Sequence, residues 1–329
     1  MTINRRNFLR QASLLAATPL IINELASCSP AARTEEKKTD STATMKIADK
    51  PSLKEFGIQL WSVRDDLAKD PKGVLKKLAD DGYKFVESFQ HDKLGIFWGM
   101  SPKHFKSYLD SINLTIHSCH CDPTFALDKK KADKLKKLAD DAAGIGMKYL
   151  INPYMGNVLK KLDDFKKAAE GFNRCGEICQ KAGLQYGYHN HHYAFQKVEG
   201  QFPEDIFLAG TDADKVAFEM DLYWVTMAGQ DPIAWLKKYP NRFRLVHVKD
   251  SYSAEKIAEI NKKEKVNPDF PFNSSCDLGT GVIDFPKILN VAKENGTQYF
   301  IVEQERWDNS TPIKSAEVDA NYMKKLVFA

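Results

Sequence analysis

Between Phe56 and Glu305 the chain alternates eight times between a short run rich in β-branched and aromatic residues and a longer charged stretch of helical period. The strand candidates are Phe56–Trp61, Tyr83–Phe89, Leu114–His120, Lys148–Asn152, Leu184–His191, Val216–Leu222, Phe243–Lys249 and Tyr299–Glu305. Helical patterns lie between them, among them Pro71–Asp81, Pro102–Ser111, Lys130–Ala143, Asp163–Ala182, Pro232–Lys238 and Phe285–Asn295. Several open with proline in the first turn, and two are followed by Gly82 or Gly296, the residues that start and stop helices. Eight such units over residues 53–329 predict a single-domain α/β fold, the (β/α)8 TIM barrel, whose usual size is roughly 250 residues. With 43% of 329 residues hydrophobic, there is apolar material for one large core. A doubly wound open sheet would place a glycine-rich turn after its first strand, and Gln59-Leu60-Trp61-Ser62 has no glycine.

Strand parity sharpens the expectation, because successive side chains point to opposite faces. One parity is mostly aliphatic or aromatic: Ile58 and Leu60, Val86, Leu114 and Ile116, Phe218, Met220 and Leu222, Val246 and Val248, Phe300 and Val302. That set suits the face beneath the helices. The other carries polar groups near strand ends: Gln59 and Trp61, Glu87, His117, His189 and His191, Glu219 and Asp221, His247 and Lys249, Glu303 and Glu305. Polar groups at the late positions of so many strands converge on one barrel mouth, where barrel enzymes place their chemistry. Asp221, His247 and Glu303 fall near the ends of strands six, seven and eight, and Tyr188-His189-Asn190-His191-His192 supplies imidazoles from strand five. Mixed His, Asp and Glu donors suit one divalent ion, Mn, Zn, Co or Mg, with imidazole favouring Mn or Zn. Trp61, Trp224 and Trp307 are candidates for an apolar wall beside these polar groups.

The runs Gly57–Arg64, Tyr188–His191, Met220–Trp224, Val246–Asp250, Gly279–Phe285 and Ile301–Gln304 occur in an order that resembles the xylose isomerase-like barrel superfamily, and more narrowly its sugar phosphate isomerase/epimerase-like members. That resemblance implies one divalent metal on four side chains from strands five to eight. Asp221, His247 and Glu303 match the last three, and His189 takes the nearest place on strand five, with His191 as the other candidate. It implies that Glu303 is both ligand and proton carrier, that His189 or His191 is the alternative base, and that His120 on strand three faces substrate. Gln59, Glu87, His117, Asn190, Lys249 and Glu305 are then candidates to hold or polarise substrate hydroxyls, beside Trp61 and Trp224. The family's usual strand-five carboxylate is absent, and Ala194 stands where related members carry Glu. Both departures weigh against two-base epimerisation.

The implied chemistry is enolisation of a sugar or keto-sugar, giving isomerisation or epimerisation. The alternatives are a lyase or hydratase acting on 3-keto-glycosides through the same metal site, and a non-catalytic sugar-binding lipoprotein. Ser118-Cys119-His120-Cys121 lacks the second Cys/His pair that a structural zinc site requires. A net charge of +4, without a basic stripe interleaved with aromatics, argues against nucleic acid as a partner.

Residues 1–28 read as an address. Asn4–Arg10 is basic, Ala12–Ile22 is mostly apolar, and Leu25-Ala26-Ser27-Cys28 follows. The paired Arg5 and Arg6 ahead of Phe8-Leu9 resemble a twin-arginine export signal, and the last four residues resemble a bacterial lipobox with Cys28 as the acylated residue. Residues 29–52 lack aromatics and read as a flexible tether. The expected place is therefore the periplasm or cell envelope, with membrane contact through the lipid anchor alone. The remaining five cysteines are an odd number, which argues against complete disulfide pairing.

Overall fold

The computed structural model describes residues 53–328 except 157, 265–273, 308 and 309. The expected leader, Cys28 and the tether lie outside the described residues. The described chain closes into an eight-stranded parallel barrel: β1 Gly57–Gln59, β2 Phe85–Phe89, β3 Thr115–His120, β4 Tyr149–Asn152, β5 Gln185–His189, β6 Val216–Asp221, β7 Phe243–Val248 and β8 Tyr299–Val302, with β8 pairing β1. A two-residue antiparallel hairpin, Asp250–Ser251 with Ser275–Cys276, follows β7 outside the barrel.

Local chemistry sets the element boundaries. The Asp70 and Ser101 side chains accept from the backbone N–H groups of Gly73 and His104, capping helices Pro71–Asp81 and Pro102–Ser111. Gly82 ends the first of these at φ 106°, a left-handed conformation glycine enters without a Cβ clash. Strands β1 and β5 stop earlier than their apolar runs suggest, because Leu60–Val63 and His192–Phe195 turn into 3-10 helices. On β6 the change comes at Asp221, which caps a short helix, Leu222–Met227. Helices Pro203–Gly210 and Pro312–Lys325 belong to the outer layer, and a further helix, Ala254–Glu264, follows the Asp250–Ser251 strand; the sequence pattern marks none of the three.

The outward parity behaves as expected: Ile58, Val86, Ile116, Phe218, Val246 and Val302 pack under the helices in one continuous core. The inward rows divide by height. Low in the barrel, Phe85, Tyr149, Ile151, Ala217, Leu245 and Ile301 form an apolar plug. One step further along the same strands the inward residues turn polar: Gln59, Glu87, His189, Glu219 and His247, all buried.

Two register shifts decide what enters that polar layer. Opposite Val86–Glu87, β3 carries one extra residue, His117, so Ser118 pairs with Glu87 and His120 with Phe89. A bulge re-aims everything after it. His120 therefore points inward, whereas uninterrupted alternation from Thr115 would have sent Cys119 in. Opposite Phe218–Glu219, Arg244 is the extra residue, and Leu245 and His247 come to share the inward face with Glu219 and Asp221.

Candidate metal centre at the barrel mouth

The C-terminal ends of β2, β3, β5, β6, β7 and β8 deliver a dense group of titratable side chains. Glu219 Oε2 lies 2.8 Å from His120 Nε2, 3.1 Å from His189 Nδ1 and 3.3 Å from His247 Nε2. Glu87 Oε1 lies 2.8 Å from His247 Nε2 and 3.2 Å from His120 Nε2, and accepts from Gln59 Nε2 at 2.7 Å. The opposite edges of two of these rings face other carboxylates. His189 Nε2 is 3.8 Å from Asp221 Oδ2, and His247 Nδ1 is 3.3 Å from Glu303 Oε2. Lys249 Nζ donates to Glu303 at 3.3 Å and also to Glu305.

Charges this deep are tolerated only in pairs, since an unpaired buried ion costs several kcal/mol or more. Burial by itself lowers the His120 imidazole, but Glu87 and Glu219 outweigh it and raise it to about 10. Burial likewise opposes charge on His247, and Glu219 and Glu303 push it well above its ordinary value. Burial wins at His189 and at His191, both lowered, the latter with His189 and Lys249 reinforcing it. Burial also raises the Asp221 carboxyl, to about 7, even against Lys249 and His247. Glu303 is held low despite burial by Lys249 and His247.

Two sets of four donors have atoms within 4.8 Å of one another: His120, His189, Glu219 and His247, and His189, Asp221, His247 and Glu303. They use opposite edges of the two shared imidazoles. In the first, Glu219 Oε2 already faces three ring nitrogens. In the second, Asp221 spends Oδ1 on the Trp224 N–H at 3.0 Å, while Oδ2 is buried with no hydrogen-bond partner. Glu219 Oε1 is likewise without a hydrogen-bond partner, but Asp221 Oδ2 stands beside two imidazole edges and a second carboxylate, an arrangement that could hold a cation. The second set fits a divalent ion; the first is its hydrogen-bonded support.

A cavity of 480 Å³ opens above, lined among others by Trp61, Phe89, His120, Tyr154, His189, His191, Glu303 and Glu305. Trp61 is 39% exposed, and its Nε1 donates to Glu305 at 3.2 Å. Arg64 sits 4.5 Å from the Trp61 ring and 5.3 Å from that of Trp307, bracing Trp61 from behind. His191 packs against Tyr154 and Trp224, its Nδ1 unpartnered.

Other residues singled out as substrate contacts stand elsewhere. His117 corrects the reading most: it packs against Phe85 and Tyr299, the first residues of β2 and β8, at the opposite end of the barrel from the mouth. Its bulged position put it there, and no local sequence signal marks a bulge. Asn190 is fully buried and ties β5 to β6, its Oδ1 accepting the Asp221 N–H at 3.1 Å. Gln59 is consumed by Glu87 and the Trp61 N–H, so it supports the cavity floor rather than lining it. Glu87 and Lys249 are fully buried beneath the lining, and Trp224 lies behind His191. The sequence reading gave Glu219 no role, although the Glu219–Asp221 spacing on one strand face was the available signal.

Residues 75–326 match the family model described as the xylose isomerase-like TIM barrel. The chain belongs to this family. A solved structure of a sugar phosphate isomerase/epimerase from Parabacteroides distasonis ATCC 8503 is 31% identical with a TM-score of 0.67, covering 87% of this chain and 97% of the other. An inosose dehydratase of Lacticaseibacillus casei is 24% identical over 75% of this chain and 87% of its own length. The inosose dehydratase of Clostridium beijerinckii is 28% identical over 50% of this chain, a match that spans 55% of that protein.

Proposed function

We propose that this xylose isomerase-like barrel is a metal-dependent enzyme that enolises a sugar or keto-sugar. The observation that carries the reading is the set His189, Asp221, His247 and Glu303, of which His189 and Glu303 line the cavity, with its orphaned Asp221 oxygen. A divalent ion held there would supply a Lewis acid for a substrate carbonyl oxygen. Glu303, lining the cavity from the end of β8, removes the proton from the carbon beside that carbonyl. Lys249, bonded to Glu303 and Glu305, fixes the base and offsets its charge. Trp61, Phe89 and Tyr154 offer the apolar face on which the C–H side of a sugar ring stacks.

Elimination is the second reading, and the make-up of the cavity favours it over two-base epimerisation. Glu303 and Glu305 come from the β8 side, whereas β3 and β5 themselves offer imidazoles, His120, His189 and His191; the other two lining carboxylates, Asp92 and Asp122, follow β2 and β3, and Asp122 is spent on Lys131. A proton taken by Glu303 and one given by an imidazole to a departing β-oxygen make a dehydration or glycoside lysis, and the relatives named inosose dehydratases support it. Incubation of the metal-loaded protein in deuterated water with inosose, D-allulose and a 3-keto-glycoside tests both. Deuterium entering beside the carbonyl is expected, and NMR of the product separates an isomer from an eliminated enone. Absence of exchange with every keto-sugar contradicts enolisation.

We also propose export and lipid anchoring at Cys28, supported by the basic, apolar and Leu-Ala-Ser-Cys segments of residues 1–28. Cys28→Ala should release the protein from the membrane fraction or leave an unprocessed precursor. Unchanged fractionation and unchanged lipid labelling contradict the anchor.

A further inference from the structure

We propose that Glu219 is the positioning residue that sets the tautomers of both histidines of the candidate metal set. The proposal rests on the metal reading above and concerns a residue that does not face the ion. One oxygen of Glu219 stands 3.1 Å from His189 Nδ1 and 3.3 Å from His247 Nε2. These are different nitrogens of the two rings. An ionised carboxylate only accepts hydrogen bonds, so each facing nitrogen must carry a hydrogen. A neutral imidazole protonated on one nitrogen presents a lone pair on the other. Glu219 therefore leaves His189 with a lone pair at Nε2, toward Asp221 Oδ2, and His247 with one at Nδ1, toward Glu303 Oε2.

With an ion on the Asp221 and Glu303 edges, the two rings take opposite tautomers and both lone pairs converge on the same four-donor set. At His247 Nε2, Glu87 Oε1 at 2.8 Å is the nearer acceptor and shares the nitrogen with Glu219, whereas Glu219 is the carboxylate at His189 Nδ1. Glu219 is the common partner. Its third contact, 2.8 Å to His120 Nε2, reaches a ring that lines the cavity, so the same oxygen joins a cavity wall to the ion's ligands. Partners of this kind raise ligand basicity and fix ring orientation, and their loss costs about 10–100-fold in metal affinity.

The test uses the full-length protein purified without metal and titrated with Zn²⁺ against a competing chelator. In addition, ¹⁵N NMR of the histidine side chains of the Zn-loaded protein reads which nitrogen carries hydrogen. Glu219→Gln, which keeps the size and one acceptor oxygen but not the charge, should raise the Zn²⁺ Kd about 10–100-fold and disturb the Nδ1–H of His189, with a smaller change at the Nε2–H of His247, which Glu87 still accepts. Glu219→Asp, one methylene shorter, serves if the Gln variant does not fold, with the same two changes expected. Glu204→Gln is the control: Glu204 is equally buried, but the charges acting on it are Asp205 and Arg242 rather than imidazoles, so it should leave the Kd within twofold. Glu219 variants with Kd within twofold of wild type, or with both tautomers retained, overturn the proposal while wild-type Zn²⁺ binding upholds the metal reading. A wild-type protein that binds no Zn²⁺ overturns both.

Discussion

The two ends of the barrel interior are built from the same inward-facing rows and have opposite characters. At the N-terminal end Phe85 and Tyr149 meet Tyr299 edge to face, and half-buried His117 packs on Phe85 and Tyr299, burial lowering its imidazole below the ordinary value. At the C-terminal end, three residues along the same strand, His120 is held between Glu87 and Glu219 and carries a proton to about pH 10. One end is packed for stability and can absorb an imidazole as an aromatic ring. The other concentrates charges that cost folding energy, and the cost is offset only while each has its partner. The contrast between two histidines of one strand shows that height in the barrel determines function more than residue type does.

The largest expected effect lies at the charged end. Glu303→Gln keeps the volume and one oxygen donor but removes the proton carrier, so turnover should fall about 10²–10⁴-fold with little change in substrate affinity. Solvent deuterium exchange into the keto-sugar should fall in parallel. Exchange at the wild-type rate would move the base to His189 or His191.

Substituting each histidine by phenylalanine sharpens the comparison directly. His120→Phe removes one of the two imidazoles that Glu87 and Glu219 share, leaving both on His247, and should destabilise by about 1.5–3 kcal/mol. His117→Phe replaces one ring by another among Phe85 and Tyr299, and should cost less than about 1.5 kcal/mol with kcat/KM unchanged. Urea unfolding of both variants at pH 7 measures the gap, and equal losses would break the account of two ends.

A third effect is slower in pH. Glu204, on the outer helix Pro203–Gly210, is fully buried with neither carboxylate oxygen hydrogen-bonded, and burial, with Asp205 adding to it, raises it to about 8. The folded state then holds a proton that the unfolded chain releases near 4.5. That stabilisation is full below the unfolded value and is lost as pH climbs toward 8, with a slope of up to about 1.4 kcal/mol per unit. Glu204→Gln should remove this slope between pH 5 and 8, and a slope equal to wild type would contradict the assignment.

The eight strands were legible because apolar and polar residues alternate along them and turn residues separate them. The convergence of Asp221, His247 and Glu303 was legible from parity alone. The bulge at His117 was not, because alternation reads on through it and the extra residue is defined only by its pairing with β2. Lys249 read as a substrate contact, yet it is sealed by Glu303 and Glu305, partners more than fifty residues away that no local pattern links to it. Glu219 was overlooked for the same reason, since its importance comes from three imidazoles on three other strands. Helix Leu222–Met227 escaped because an apolar run after a strand looks like more strand.

The central claim is that a divalent ion sits on the Asp221 and Glu303 side of the two shared imidazoles. Anomalous diffraction from crystals soaked in Zn²⁺ tests it most directly. The account predicts one strong peak about 2.0–2.2 Å from His189 Nε2, Asp221 Oδ2, His247 Nδ1 and Glu303 Oε2, lost in Asp221→Ala. A peak among His120, Glu219 and the opposite edges of the same rings, or no peak at either place, would contradict it.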